Sequence, residues 1–569
     1  MKTLAPRAIL SLAAVIAVVL LAPHGDFVPL WDGWAYAECA VDVVTNRFAL
    51  YFLRCYGHPA YIYSGLLAVV QLLDVGNPVL LLLVNALVLA AATAGFHRLM
   101  RRAFPGEGYE AEIALLTAAF LLQPQFLASV VQPALDLPVL AGTVWCTVLI
   151  IERRWFWCAA VGTAMAFSKE TGFLLYTVLL ACGVLWLLAR TPGTLPARVR
   201  ALLPVAPTVA PMVAYAGYVL AFRIVRPGQA PVWEVGHGPS PIVQLLTPRL
   251  DAEVASYLAL LFVLNFAWIP SVWIVADAAA TVLRRVSGRA ARPLAGVDRV
   301  AIGFLAFAAV ATLIALTRFI TFSNVRYLMA GTGLVLGVAY VALVRLGLRP
   351  GARRIALGMY VMLLVASALR TVDPVSRRLW GTFQFGSHRL LDMTSITGEC
   401  CGKGRDQLVY SLEFTRFHEL TDTVLTTLMR DTATAIALPR YGNYLFVERL
   451  DRTTWRRTLR RRDAFRPITM AGPFMPKGVE PPRSMIYIAM PNAKDPVTLP
   501  LLAHGYVVGP AQRFESDGYA VSVYRLEKRS GDEEAASVTR GDRVDVVPAA
   551  ASVTAAPGTA PANRPPRRR

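Results

Sequence analysis

Charge is scarce in this chain. Asp, Glu, Lys and Arg make up 17% of its 569 residues, 56% are hydrophobic, and the mean hydropathy is +0.49. A soluble domain of this size needs a far more polar surface, so the composition excludes one and implies a polytopic membrane protein. Cysteine is also rare, and seven of them do not make a disulfide scaffold. No Cys/His set has the spacing of a zinc site, so no structural metal is expected. No internal repeat is visible.

What the chain has instead is apolar length. Runs recur at 8–22, 78–97, 111–131, 135–151, 155–167, 172–189, 202–222, 255–283, 300–316, 327–344 and 355–369, most of them near the length of a membrane span. Backbone hydrogen bonding in lipid makes each a helix. The first run, preceded by Lys2 and Arg7, also fits a signal peptide, but no A-x-A cleavage site follows and it is kept as the first span.

Lys and Arg set the expected orientation, because cytoplasmic connections retain them. With the N-terminus inside, the cytoplasmic pieces (1–7, 98–110, 152–154, 190–201, 284–299, 345–354) hold 19 Lys and Arg in 61 residues, and the external pieces hold 8 in 104. The expectation is a multi-pass protein of the bacterial cytoplasmic (inner) membrane, with about eleven spans over residues 1–370, a first external loop at 23–77, and everything past 370 outside. The net charge of +20 is largely this asymmetry plus the distal Arg567-Arg568-Arg569, and needs no nucleic acid to explain it. Residues 60–74 read as a helix along the outer interface, with Tyr61 and Tyr63 suited to the headgroup layer; a twelfth span there would invert every later loop.

Beyond 370 the composition becomes mixed. A soluble external α/β domain is expected over 371–529, with strands at Thr434–Pro439, Ser484–Met490 and Tyr519–Arg525 and a helical period over 407–430. Residues 530–569, rich in Ala, Pro, Gly, Thr and Arg, read as a disordered tail. Cys146, Cys158 and Cys182 fall in spans as small packing residues. Cys39 and Cys55 share the first external loop, where a bridge is a reasonable expectation, and Cys400-Cys401 is external too.

The informative residues are the charges that this topology gathers at the outer face: Asp26, Asp32, Glu38 and Asp42 in the first loop, Asp136 opening span four, Lys169-Glu170 between spans five and six, and Arg318 and Arg326 before span ten. A charge buried near hydrocarbon costs roughly 2.5–3.5 kcal/mol on insertion scales, so each is a functional candidate with a partner close by. The plain alternative is that Asp136, Lys169 and Glu170 cap helices at the water boundary.

Five motifs in this order have a family likeness. Trp31-Asp32-Gly33-Trp34-Ala35-Tyr36, Gly57-His58-Pro59-Ala60-Tyr61, Gln132-Pro133-Ala134-Leu135-Asp136, Phe167-Ser168-Lys169-Glu170-Thr171-Gly172 and Asn324-Val325-Arg326-Tyr327-Leu328 resemble the GT-C superfamily of polyprenyl-phosphate-dependent glycosyltransferases, nearest to the bacterial relatives of protein mannosyltransferases and aminoarabinose transferases. They cover about residues 1–345 and leave the C-terminal domain unaccounted for. The resemblance implies an all-α polytopic fold of eleven or more helices with a site between the first external loop and the membrane face. It implies a polyprenyl-phosphate-linked sugar donor, a lipid, glycan or protein acceptor, contact with membrane lipids and an inverting displacement.

Residue by residue, the family's acidic pair falls on Asp32 and Gly33. Asp32 is the candidate base, and the second carboxylate would have to come from Asp26, Glu38 or Asp136, or be missing. Lys169 and Arg326 match positions expected to hold the donor phosphate, with His58 a weaker third. A cationic clamp removes the need for a metal, so no cofactor is expected, although Asp32, Asp136 and Glu38 could take a divalent cation through oxygen. Two other classes stay open. A transporter or flippase of lipid-linked substrate predicts deep charges and paired broken helices; a non-catalytic envelope protein would use the external domain for binding and the spans only as an anchor.

Overall fold

In the computed structural model the described residues are 4–25, 32–45, 59–192, 194–225, 258, 262, 268–288, 296–319, 325–368, 384–385, 388–389, 435–437, 483–488, 506–516 and 519–528. The expected helix at 407–430, the tail, Asp26 and His58 lie outside them.

Helices carry the membrane part: α1 (Leu4–Leu21), α2 (Asp32–Thr45), α3 (Tyr61–Gln71), α4 (Pro78–Ala103), α5 (Glu110–Leu121), α6 (Pro124–Val131), α7 (Asp136–Ile151), α8 (Trp155–Ala166), α9 (Glu170–Arg190), α10 (Leu195–Ala201), α11 (Ala210–Val225), α12 (Ile269–Val286), α13 (Arg299–Phe319), α14 (Met329–Arg345) and α15 (Pro350–Ala368). Seven helical stretches among the described residues are long and apolar enough to cross a bilayer: Pro6–His24, Pro78–Ala103, Glu170–Arg190, Leu203–Ala221, Arg299–Arg318, Arg326–Arg345 and Pro350–Ala368. An eighth forms if α5 and α6, bent by 47° at their junction, are one span. Pro124 accounts for that bend, because it has no N–H to donate and its ring excludes the carbonyl four residues back.

The count of eleven is not reached among the described residues, since apolarity and helix length are different quantities. At 1.5 Å per residue the 16 residues of α7 and the 12 of α8 rise about 24 and 18 Å, short of a hydrocarbon core of about 30 Å. The 11 residues of α3 rise about 16 Å, so α3 does not cross. Tyr63 corrects the sequence reading: it is buried, not set among headgroups, and its hydroxyl donates to Asn85 Oδ1 at 2.5 Å while Asn85 Nδ2 donates to the Val130 carbonyl at 2.9 Å. This chain of polar contacts ties α3 to α4 and α6.

Burial separates the inner helices from the lipid-facing ones. α14 is enclosed along nearly its whole length, and α7 packs on α4, α8, α9 and α14. α1 instead exposes Leu12, Val15, Val18 and Val19. Ion pairs gather at one end of the bundle. Glu112, fully buried in the first turn of α5, accepts two hydrogen bonds from Arg353 of α15 (2.8 and 2.9 Å) and one from the Tyr340 hydroxyl of α14 (2.8 Å). At the same end Arg98 grips Glu152 through two 2.7 Å bonds, and Asp277 lies 3.5 Å from Arg284 and 3.3 Å from Arg345.

The C-terminal part carries β1 (Gln384–Phe385), β2 (His388–Arg389), β3 (Ala435–Ala437), β4 (Ser484–Ile488), β5 (Tyr506–Ser516) and β6 (Tyr519–Lys528). β3, β4, β6 and β5 form one sheet in that order, parallel between β3 and β4 and antiparallel elsewhere. Three of these strands match the sequence expectation; β5 was not foreseen. Gly and Pro are disfavoured in a strand interior, and the ladder absorbs its Gly509-Pro510 in an irregularity between Val508 and Ala511.

Candidate active site

Four helix starts meet at the opposite end of the bundle. Asp136 is the first residue of α7, Lys169 is the extended residue that precedes α9 (φ −165°, ψ 153°), and Arg326 lies in the short 3-10 turn Val325–Leu328 that leads into α14. The Lys169 ammonium donates to Asp136 Oδ1 at 2.7 Å, and Arg326 Nε is 3.7 Å from Asp136 Oδ2. All three side chains are close to nine-tenths buried. Both cations also cover Tyr327, with Lys169 Nζ 4.3 Å and the Arg326 guanidinium 5.3 Å from the ring centroid. Three residues far apart in sequence therefore form one triad with a formal charge of +1.

The start of α2 is the fourth. A Cβ on Gly33 would lie 3.2 Å from Gln132 Oε1, 3.2 Å from the Pro133 carbonyl oxygen and 3.3 Å from Pro133 Cδ. The first turn of α2, which begins at Asp32, is thus seated on the segment that runs into Asp136. A side chain at position 33, where the family's second acid would fall, would be crowded by the Pro133 backbone and ring and would need them to give by a few tenths of an ångström. Glu38 and Asp42 lie further along α2.

The arrangement suits an anion. Helix N-termini carry partial positive charge and unpaired N–H groups, and here they are joined by a lysine and an arginine held in place by one carboxylate. The plain capping reading does not describe Asp136: its oxygens face the two cations, and no side-chain cap of α7 is formed. Tyr327 and Gln132 were quoted within motifs without a role, since an aromatic or an amide in such a segment carries no signal of its own.

Cys39 is buried in α2 and disulfide-bonded; Cys55, the partner expected from the sequence, lies outside the described residues. Cys146, Cys158 and Cys182 are free and buried, as packing residues should be.

No family model and no curated protein matches the chain. Solved structures do. A crystal structure of ArnT from Cupriavidus metallidurans in the apo state matches with a TM-score of 0.51 and 14% identity, covering 90% of this chain and 97% of that one. The structure of the same protein bound to undecaprenyl phosphate matches with a TM-score of 0.52 and 15% identity over the same shares. The chain therefore shares the fold of these ArnT structures, in keeping with the fold its motifs led us to expect.

Proposed function

We propose that this protein is an integral membrane glycosyltransferase that moves a sugar from a polyprenyl-phosphate donor to a hydroxyl of a lipid, glycan or protein at the outer face of the cytoplasmic membrane. The observation that carries this reading is the buried Asp136–Lys169–Arg326 triad. It sits in a fold shared with a protein crystallised with undecaprenyl phosphate. The outer-face placement is supported by the Cys39 disulfide, since such bonds persist in oxidising compartments. The positive-inside count agrees with it, and with the eleven spans expected from the sequence, residues 371–529 would lie outside.

In the proposed reaction the acceptor oxygen attacks the anomeric carbon as the bond from that carbon to the phosphate oxygen breaks. The hydroxyl proton passes to the Asp32 carboxylate, the electron pair of the broken bond leaves with the polyprenyl phosphate, and the anomeric centre inverts. A placed base of this kind contributes roughly 10²–10⁴-fold. Charge grows on the phosphate as the bond breaks, and Lys169 and Arg326 are the cations to meet it. Asp136 is the supporting acid: it holds both cations before the phosphate arrives, so little reorganisation is needed at the moment of transfer. Because its oxygens are already engaged, the base role falls to Asp32 at the start of α2. His58, Asp26 and Glu38 are secondary candidates on the same first loop.

The test begins with mass spectrometry of the cell envelope after deletion of the protein, which identifies the missing sugar and acceptor. Transfer from the matching polyprenyl-phosphate sugar is then measured for the wild type and Asp32→Asn. We expect a loss of at least about 100-fold with normal membrane expression; unchanged turnover would sink the assignment. Among the described residues, the bent α5–α6 pair is the feature that favours a flippase, whose sites are built from paired broken helices. Undecaprenyl-phosphate translocation in liposomes without sugar transfer would establish that second reading.

A further inference from the structure

Helix α3 has no part in the chemistry above, yet it is fastened to each stretch that carries it. It is a short amphipathic helix: Tyr63, Leu67, Ala68 and Gln71 are buried, while Leu66, Val69 and Leu72 face outward. The first N–H groups of a helix have no partner within it, and neither do the carbonyls at its end. Ile62, in the first turn of α3, gives its N–H to the carbonyl of Phe167, just past the end of α8, at 3.1 Å. Phe167 lies two residues before Lys169. The Ser168 and Gly172 N–H groups bond locally, to Met165 and Lys169, so the described backbone hold on this turn from another helix is that of Ile62.

The next residue of α3 reaches the other side of the triad. The buried Tyr63 hydroxyl donates to Asn85 Oδ1 at 2.5 Å, and Asn85 Nδ2 donates to the Val130 carbonyl, in the last turn of α6, at 2.9 Å. The Ala134 backbone bonds to the same hydroxyl. Leu135 packs in a small apolar cluster with Tyr63, Leu67 and Ala68 of α3 and with Tyr36, Ala37 and Ala40 of α2. Val130, Ala134 and Leu135 belong to the stretch that ends at Asp136, and α2 is the helix that begins at Asp32.

We infer that Tyr63, with Asn85, is a positioning residue: through α3 it fixes the stretch before Asp136 against the turn before Lys169, and so keeps the triad in the spacing that receives the donor phosphate. The inference rests on the polyprenyl-phosphate reading. A hydrogen bond such as that from Lys169 Nζ to Asp136 Oδ1, at 2.7 Å, is lost within about 1 Å of separation. Its two ends stand at the starts of α7 and α9, and helix ends are where helices fray. Tyr63 acts on one of them through Ala134 and Leu135 and on the other, by way of Ile62, through Phe167. Without its hydroxyl, Asn85 and the Ala134 backbone lose a shared partner and the stretch before Asp136 is released.

The experiment uses the full-length protein in phospholipid nanodiscs and measures undecaprenyl phosphate binding and thermal unfolding. Tyr63→Phe, which keeps the ring, should weaken undecaprenyl phosphate about tenfold, the worth of one buried hydrogen bond. Tyr360→Phe is the control: that tyrosine is as deeply buried, and its hydroxyl accepts from Gln123 Nε2 at 2.7 Å. It should lower the unfolding temperature by a similar amount and leave undecaprenyl phosphate affinity intact. Lys169→Met should weaken binding to a level that Arg326 keeps measurable, and adding Tyr63→Phe to it should change affinity by no more than about twofold, because residues that act through one another are not additive. Where Tyr63→Phe does not fold, Asn85→Ser, which withdraws the bond to Val130 and spares the ring, is read in its place. Wild-type affinity in Tyr63→Phe, or an equal loss with and without Lys169, overturns the positioning role and leaves the donor reading standing. Absence of undecaprenyl phosphate binding in the wild type overturns both.

Discussion

Asp136 is the residue on which the candidate site turns, because one buried carboxylate faces two buried cations. Removing one partner of such a cluster leaves charge without its counter-charge, typically at about 3–5 kcal/mol. Asp136→Ala strands a lysine and an arginine, whereas Lys169→Met leaves Asp136 with Arg326. Thermal unfolding in detergent should therefore rank Asp136→Ala as the less stable, and undecaprenyl phosphate should recover part of that loss by supplying the missing negative charge. Equal stability of the two variants would contradict the geometry. Asp136, Lys169 and Arg326 were legible in the sequence because a charge inside an apolar run is conspicuous, and topology put all three on one face. The contacts of Tyr63 and Asn85 were not, since a tyrosine or an asparagine in an apolar stretch carries no signal of its own and only tertiary packing shows what it touches.

Helices show where hydropathy stops being informative. The run 111–131 reads as one uninterrupted span, yet Pro124 divides it into α5 and α6. Glu112 escaped notice near the edge of that run, although it is the centre of the buried contact among α5, α14 and α15. Glu112→Ala should cost about 3–5 kcal/mol in detergent unfolding, while the double change Glu112→Met with Arg353→Leu should restore most of it, as apolar replacements of buried ion pairs do. A close approach of a different kind fixes the Lys169 turn. A Cβ at Gly172 would collide with the Met165 carbonyl oxygen, so α9 can follow α8 this tightly only with glycine there. Gly172→Ala should abolish undecaprenyl phosphate binding, and Gly358→Ala on α15, where a Cβ meets nothing within 4 Å, should leave it intact. In the sheet, Gly509-Pro510 hid β5 for the reverse reason, since local turn chemistry was overruled by pairing with β6.

Across the whole molecule, the proposed orientation puts the two ends of the bundle in different compartments. Non-reducing peptide mapping should find Cys39 in a disulfide and Cys146, Cys158 and Cys182 unmodified by a maleimide added to intact membranes. A free Cys39 thiol would remove the support for α2 lying outside. The class of fold could be foreseen because lipid permits so few backbone arrangements, and the meeting of Asp136, Lys169 and Arg326 because only a few charges had to be accommodated. Helix count and strand order depend on tertiary contacts that no local pattern records.

The depth of the triad sets its response to salt in the surrounding medium. Dissolved ions screen exposed charges over about 8 Å at physiological strength, but reach a buried pair far less. Lys169, Arg326 and Asp136 are close to nine-tenths covered, so the phosphate binding proposed for them should scarcely change between dilute buffer and half-molar salt. A cell surface swings widely in salinity, and an envelope enzyme with this site would keep its grip on a scarce lipid through those swings.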